Sequence, residues 1–143
     1  MKSPEILMNS TNNTILLVED DLDLQLLITR AINQVSETFS VQSVADGVEA
    51  ICYLTGQAPY TDRGQYPLPL LIVTDLQMPR INGLELLTWL KQQNALNHLP
   101  VIMMSAADNP DFVNQAIDLG AKSYVLKTAV DNLALNIVKA VTE

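Results

Sequence analysis

The run Leu70-Leu71-Ile72-Val73-Thr74, bounded by Pro69 and Pro79 and ending in Asp75, constrains the fold most. It is short, apolar and rich in branched side chains. It offers no polar face to solvent, so it reads as a strand covered on both faces within a parallel sheet. In such sheets ligands bind beyond the carboxyl ends of the strands. Asp75 is therefore either a functional carboxylate or a residue that caps the next turn through Asx hydrogen bonds. This strand alone does not choose.

Other apolar runs also deliver reactive groups. Thr14-Ile15-Leu16-Leu17-Val18 leads into Glu19-Asp20-Asp21, Pro100-Val101-Ile102-Met103-Met104 into Ser105, and Ser123-Tyr124-Val125-Leu126 into Lys127. If these strands lie parallel and adjacent, their ends meet at one edge of the sheet. Clustered carboxylates, a hydroxyl and an ammonium suit a phosphoryl-accepting site. Carboxylates bind a hard divalent cation through oxygen. The cation and lysine neutralise the phosphoryl oxygens, the hydroxyl donates a hydrogen bond, and Asp75 is the nucleophile.

Helical patterns separate the strands. In the first, from about Asp21 to Val35, Leu24, Leu27, Ile28, Ala31, Ile32 and Val35 form the expected core stripe, while Leu22 and Leu26 fall outside it. Asp21 is the expected cap. A weaker strand covers Phe39 to Val44, and a second helix runs from Gly47 to Leu54. Asn82 caps a third, carrying Leu84, Leu86, Leu87, Trp89 and Leu90. Asn109-Pro110 opens a fourth, which Gly120 ends. The last runs from about Asp131 to Val141; Leu133, Ala134, Ile137, Val138 and Val141 form a wide apolar arc, with Leu135 outside it. Alternating strands and helices imply an α/β fold with right-handed crossovers. The expected architecture is a flavodoxin-like doubly wound (βα)5 with a five-stranded parallel sheet in the order 2-1-3-4-5. That order makes Glu19, Asp20 and Asp75 neighbours.

Several motifs occur in one compatible sequence: Val18-Glu19-Asp20-Asp21, then Asp75 with Met78-Pro79 and Asn82-Gly83, then Met104-Ser105-Ala106, then Gly120-Ala121 with Tyr124 and Lys127. In these the chain resembles the bacterial two-component response-regulator receiver domain, from about Thr14 to the C-terminus. The resemblance implies that Asp75 is the phosphoacceptor. It implies that Glu19, Asp20, Asp75 and the Gln77 backbone carbonyl hold Mg2+ or Mn2+, that Ser105 and Lys127 bind the phosphoryl group, and that Ser105 and Tyr124 form the switch. It implies a stand-alone, chemotaxis-type regulator, phosphorylated by a sensor histidine kinase and acting by contact with a protein target or through a phosphorelay. Such a protein catalyses only its own phosphotransfer and dephosphorylation. Leu22 and Leu26 would lie in the kinase-docking patch. A homodimer or output face would use the last two helices and the last strand.

Two segments depart from the family pattern. Residues 55–69 form an insertion with three prolines, two glycines and two tyrosines. A surface insertion costs little closure entropy, although loops beyond about 12 residues often serve function. Stand-alone receivers of the phytochrome-associated type carry a comparable insertion. Thr128 follows Lys127 where the family has a cis-bonded proline. A cis bond before a non-proline residue costs about 2.5–4 kcal/mol, so a trans bond is expected. The resemblance also implies that the residues two beyond Asp75 and two beyond Ser105 orient the hydrolytic water; Gln77 could hold one through its amide but Ala107 has no polar atom to help, and the phosphorylated state is expected not to be unusually short-lived.

Composition narrows the alternatives. At 143 residues, 48% hydrophobic, the chain makes one domain with a sizeable core. Residues 14–143 are expected to form it, with 1–13 as a flexible polar tail. A net charge of -8 opposes a nucleic-acid surface. The single cysteine, Cys52, forms no internal disulfide, and the single histidine, His98, rules out multi-histidine metal sites. No apolar run approaches a membrane span of roughly 20 residues, so a cytoplasmic location is expected. A haloacid-dehalogenase-type phosphatase would need a second Asp where Gln77 stands. A flavodoxin-like cofactor carrier would need a phosphate loop where Glu19-Asp20-Asp21 stands. A receiver-like module that binds partners without phosphorylation is the remaining alternative.

Overall fold

A computed structural model describes residues 13–78, 80–106 and 109–142. The N-terminal tail up to residue 12 and Ala107 lie outside that description. Five strands, β1 (Thr14–Val18), β2 (Ser40–Val44), β3 (Leu71–Asp75), β4 (Val101–Ser105) and β5 (Ser123–Leu126), alternate with five helices. These are α1 (Leu22–Val35), α2 (Gly47–Thr55), α3 (Gly83–Lys91), α4 (Pro110–Asp118) and α5 (Val130–Thr142). The sheet order is β2-β1-β3-β4-β5 and every pairing is parallel. This is the flavodoxin-like arrangement expected from the sequence.

The three central strands, β1, β3 and β4, are buried along their whole length. Alternate residues feed two separate cores. Leu16, Val18, Ile72, Val101 and Met103 pack with α2, α3 and α4, whereas Ile15, Leu17, Leu71, Val73, Ile102 and Met104 pack with α1 and α5. Each fully buried aliphatic side chain contributes about 1.5–3 kcal/mol relative to exposure.

The helix starts follow their capping chemistry. Asp21 accepts from the N–H groups of Asp23 and Leu24, and Asn109 from that of Asp111. Asn82 forms a reciprocal capping box with Glu85. Gly120 adopts φ 104 just past α4.

One expectation needs correction. On α1, Ile28 and Ile32 are buried, but Leu27 and Val35 are 51% and 44% exposed. The helix rests on the sheet and α5 along a stripe narrower than its apolar periodicity, so Leu27 joins Leu22 and Leu26 on the solvent side. The segment between α2 and β3 packs its aromatic side chains against α2. Tyr60 is buried, and its ring packs against Tyr53 and Tyr66 with centroids 5.1 and 5.0 Å away. The Tyr53 hydroxyl donates to Pro67 O at 2.8 Å, and Arg63 donates to Leu54 O and Tyr66 O. Burial pushes the Tyr53 phenol up to about 12, consistent with a ring sealed into the core.

Candidate functional site

The parallel register brings the strand ends together. Val18 is paired with Thr74, Asp75 with Met104, and Ser105 with Leu126. The ladder continues one residue further: Glu19 N–H donates to Val44 O, Leu76 N–H to Met104 O and Lys127 N–H to Ser105 O. Glu19, Asp75, Ser105 and Lys127 therefore occupy one rim of the sheet. Glu19, Asp75 and Ser105 are buried there, while Asp20 is exposed.

Lys127 Nζ lies 2.6 Å from Asp75 Oδ2 and 2.9 Å from Glu19 Oε1. The Lys127–Thr128 bond is trans, the only cis bond among the described residues being Ala58–Pro59. The loop change after β5 therefore leaves the ammonium directed into the acidic cluster. Its own pKa would fall on burial, but the Asp75 and Glu19 carboxylates more than offset this and keep it charged. Glu19 is also shifted upward, which for a carboxyl disfavours the charged form. Burial pushes its carboxyl up, against the pull of Lys127 and the Asp21 N–H, which donates to Oε2 at 3.0 Å. The contact of Glu19 Oε1 with Lys127 has an ion pair's distance but not a hydrogen bond's geometry, which leaves this buried oxygen without a hydrogen-bond donor.

Carboxylate oxygens of Glu19, Asp20 and Asp75 lie within 4.8 Å of one another. Three carboxylates facing one ammonium leave two negative charges, the complement of a divalent cation. The donors are all hard oxygens, as Mg2+ or Mn2+ prefers, and Glu19 Oε1 has unused capacity. The residues present thus fit such an ion. Asp21, turned away to cap α1, is absent from this cluster. The Gln77 N–H points to Asp75 Oδ1 at 3.3 Å. Tyr124, on β5, is half-buried against the core beneath α2–α4.

Sequence reasoning missed two contributors. Arg80 pairs with Asp46; the two are 34 positions apart in sequence, and no local pattern links them. Gly83 also passes against the backbone of Asp75. The Asn82-Gly83 pair was legible as a motif, but the close approach was not.

A doubly wound parallel sheet with an acid cluster and a lysine at its carboxyl rim defines a receiver-type site. The response regulator receiver domain model matches residues 15–139, and the chain belongs to that family. Response regulator Rcp1 of Synechocystis sp. is 30% identical over 114 residues, covering 80% of this chain and 76% of Rcp1. Response regulator RppA of the same organism is 38% identical over 81% of this chain but only 44% of RppA, so this chain spans less than half of that protein. The crystal structure of the phosphorylated cyanobacterial phytochrome response regulator RcpA superposes with a TM-score of 0.76 at 32% identity, covering 92% of both chains. The Mn2+-bound form of Rcp1 does so with a TM-score of 0.70 at 26% identity, over 85% of this chain and 91% of that one. Among the described residues no helix is long and apolar enough to cross a membrane.

Proposed function

We propose that this receiver accepts a phosphoryl group on Asp75 from a histidine kinase in a Mg2+-dependent reaction, and signals by phosphorylation-dependent contact with another protein. The observation that carries the reading is the placement of Lys127 Nζ between Asp75 and Glu19, at 2.6 and 2.9 Å, with Asp20 beside them. A purely structural ion pair would not need the third carboxylate.

In this reading Glu19, Asp20, Asp75 and the Gln77 carbonyl hold the cation, which when bound screens charge on the phosphoryl oxygens. An Asp75 carboxylate oxygen forms the new bond to phosphorus as the bond to the phosphohistidine nitrogen breaks. The departing nitrogen keeps the electron pair, and the imidazole leaves neutral when its other nitrogen carries a proton. Lys127 holds the Asp75 carboxylate at 2.6 Å beforehand and then neutralises a phosphoryl oxygen. The Ser105 hydroxyl donates to another. Tyr124 would change rotamer as the β4–α4 region responds.

The test is intact mass after incubation with Mg2+ and acetyl phosphate. One phosphoryl group should add to the wild-type chain, chelation of the cation should prevent it, and Asp75→Asn should abolish it. Equal labelling of the Asn variant would reject Asp75.

Kinase docking is assigned to the outer face of α1 next to the site, where Leu22 and Leu26 are 74% and 52% exposed. Leu26→Arg should slow transfer from a phosphorylated histidine domain about thirtyfold, the size of an interface hot spot, yet leave acetyl phosphate labelling unchanged. Equal loss from both donors would instead mean a damaged fold. The output or dimer surface is assigned to α4, β5 and α5, where Ile117 and Leu135 are the exposed large apolar residues among those described.

A further inference from the structure

The loop after Asp75 turns at Arg80 with φ 70. In that left-handed region a residue other than glycine is strained by about 1–3 kcal/mol. The chain nevertheless carries an arginine, whose guanidinium reaches across to Asp46 Oδ2 at the start of α2. The Arg80 side chain is 61% exposed, and an ion pair so exposed stabilises by only about 0–1 kcal/mol. Fold stability therefore does not account for this residue at this turn.

The surroundings do. The base of the loop is closed by Gly83 N–H donating to Leu76 O at 2.8 Å. Its outer side lies on α2, where a Cβ on Gly47 would come within 2.8 Å of Ile81. Arg80–Asp46 is the polar tie beside that apolar contact. Asp46 is itself fixed: Oδ1 accepts from Glu49 N–H at 2.8 Å, leaving Oδ2 for Arg80. Burial would raise the Asp46 carboxyl, but Arg80 and the Glu49 N–H more than offset it and hold the group below the usual carboxylate range. The loop so tied carries Gln77, whose N–H meets Asp75 Oδ1.

We propose that Arg80 is a positioning residue, which through Asp46 anchors the site loop to the first turn of α2 and so holds Gln77 and the Asp75 carboxylate in register for phosphoryl transfer. The proposal rests on the reading of Asp75 as phosphoacceptor.

Two substitutions isolate the tie. Arg80→Gly removes the guanidinium and relieves the backbone strain. Asp46→Asn keeps a good helix cap but removes the charge. Rates of mass gain would be followed over a range of acetyl phosphate concentrations with Mg2+, alongside amide exchange at Gln77 and thermal melting. Neither variant should melt more than about 3 °C below wild type, because the pair adds so little stability. The rate at saturating acetyl phosphate should nevertheless fall about five- to tenfold, and the Gln77 amide should exchange faster, since modest misplacement of a reacting group is costly. The double variant should be no slower than the slower single, as expected for partners in one interaction, and Arg80→Lys should recover part of the rate. Rates and Gln77 exchange within twofold of wild type in either single variant would overturn the proposal, as would losses that multiply in the double. If wild type takes no phosphoryl group, the phosphoacceptor reading fails, while Gln77 exchange still judges the tie.

Discussion

Lys127→Ala should slow labelling of Asp75 by acetyl phosphate by about 10²-fold or more and at the same time tighten Mg2+ binding. The two effects have one cause. Among the described residues Lys127 is the only cation placed against Glu19 and Asp75, and donors aimed at developing phosphoryl charge are worth roughly 10²–10³ in rate. The same ammonium repels a divalent ion. At an effective dielectric near ~20, a unit charge about 4 Å away is worth about 4 kcal/mol, so its removal should raise cation affinity at least about tenfold. Without the cation, the variant leaves Glu19 and Asp75 buried and mutually repelling. A broken buried pair costs about 3–5 kcal/mol, so the cation-free variant should melt well below wild type. Added Mg2+ should restore much of that loss by linkage. A thermal-melt titration with Mg2+ beside intact-mass kinetics measures all of this. Labelling within threefold of wild type would remove Lys127 from the transfer step.

Gly83→Ala should lower stability by about 3 kcal/mol through overpacking, or roughly 10 °C for a domain of this size. A Cβ at this position would overlap the Asp75 carbonyl oxygen and lie 2.7 Å from Met103 Sδ and 3.0 Å from Leu76 Cα. The methionine can yield. The two backbone atoms cannot, unless α3 or the end of β3 moves, and β3 carries Asp75. Labelling should therefore fall in molecules that remain folded. Gly64→Ala is the control, since a Cβ there meets only Asp62 Oδ1 at 3.2 Å on an exposed turn. A Gly83→Ala protein melting within 2 °C of its parent would mean that α3 can slide without cost.

The contrast between these residues marks how far the sequence could be read. Strand runs announce themselves because a strand with two covered faces must be apolar along most of its length, and β1, β3 and β4 are buried throughout, with polar residues only at Thr14, Thr74, Asp75 and Ser105. The caps at Asp21, Asn82 and Asn109 are local chemistry and equally legible. Asp75, Glu19 and Lys127 stand at strand ends, so once the strand order is known their convergence follows. Leu27 and Val35 could not be placed, because apolar periodicity does not say how wide a stripe the neighbouring elements will cover. The Arg80–Asp46 tie and the Tyr53–Tyr60–Tyr66 cluster could not be read either. Each joins segments through side chains whose meeting depends on the finished packing, and arginines and tyrosines are ordinary in surface loops.

The division of the molecule by its sheet bears on how such a chain can diversify. The aromatic insertion is embedded in the layer of α2, α3 and α4, whereas α1 and α5 share a different set of buried side chains across the sheet. Exchanging the insertion for one of another length would repack one side and leave the α1–α5 layer, with its exposed leucines, undisturbed. Lineages can therefore remodel the insertion without altering the α1 face proposed for kinase docking, and a chimaera that transplants the segment together with Tyr53 would carry its own packing with it.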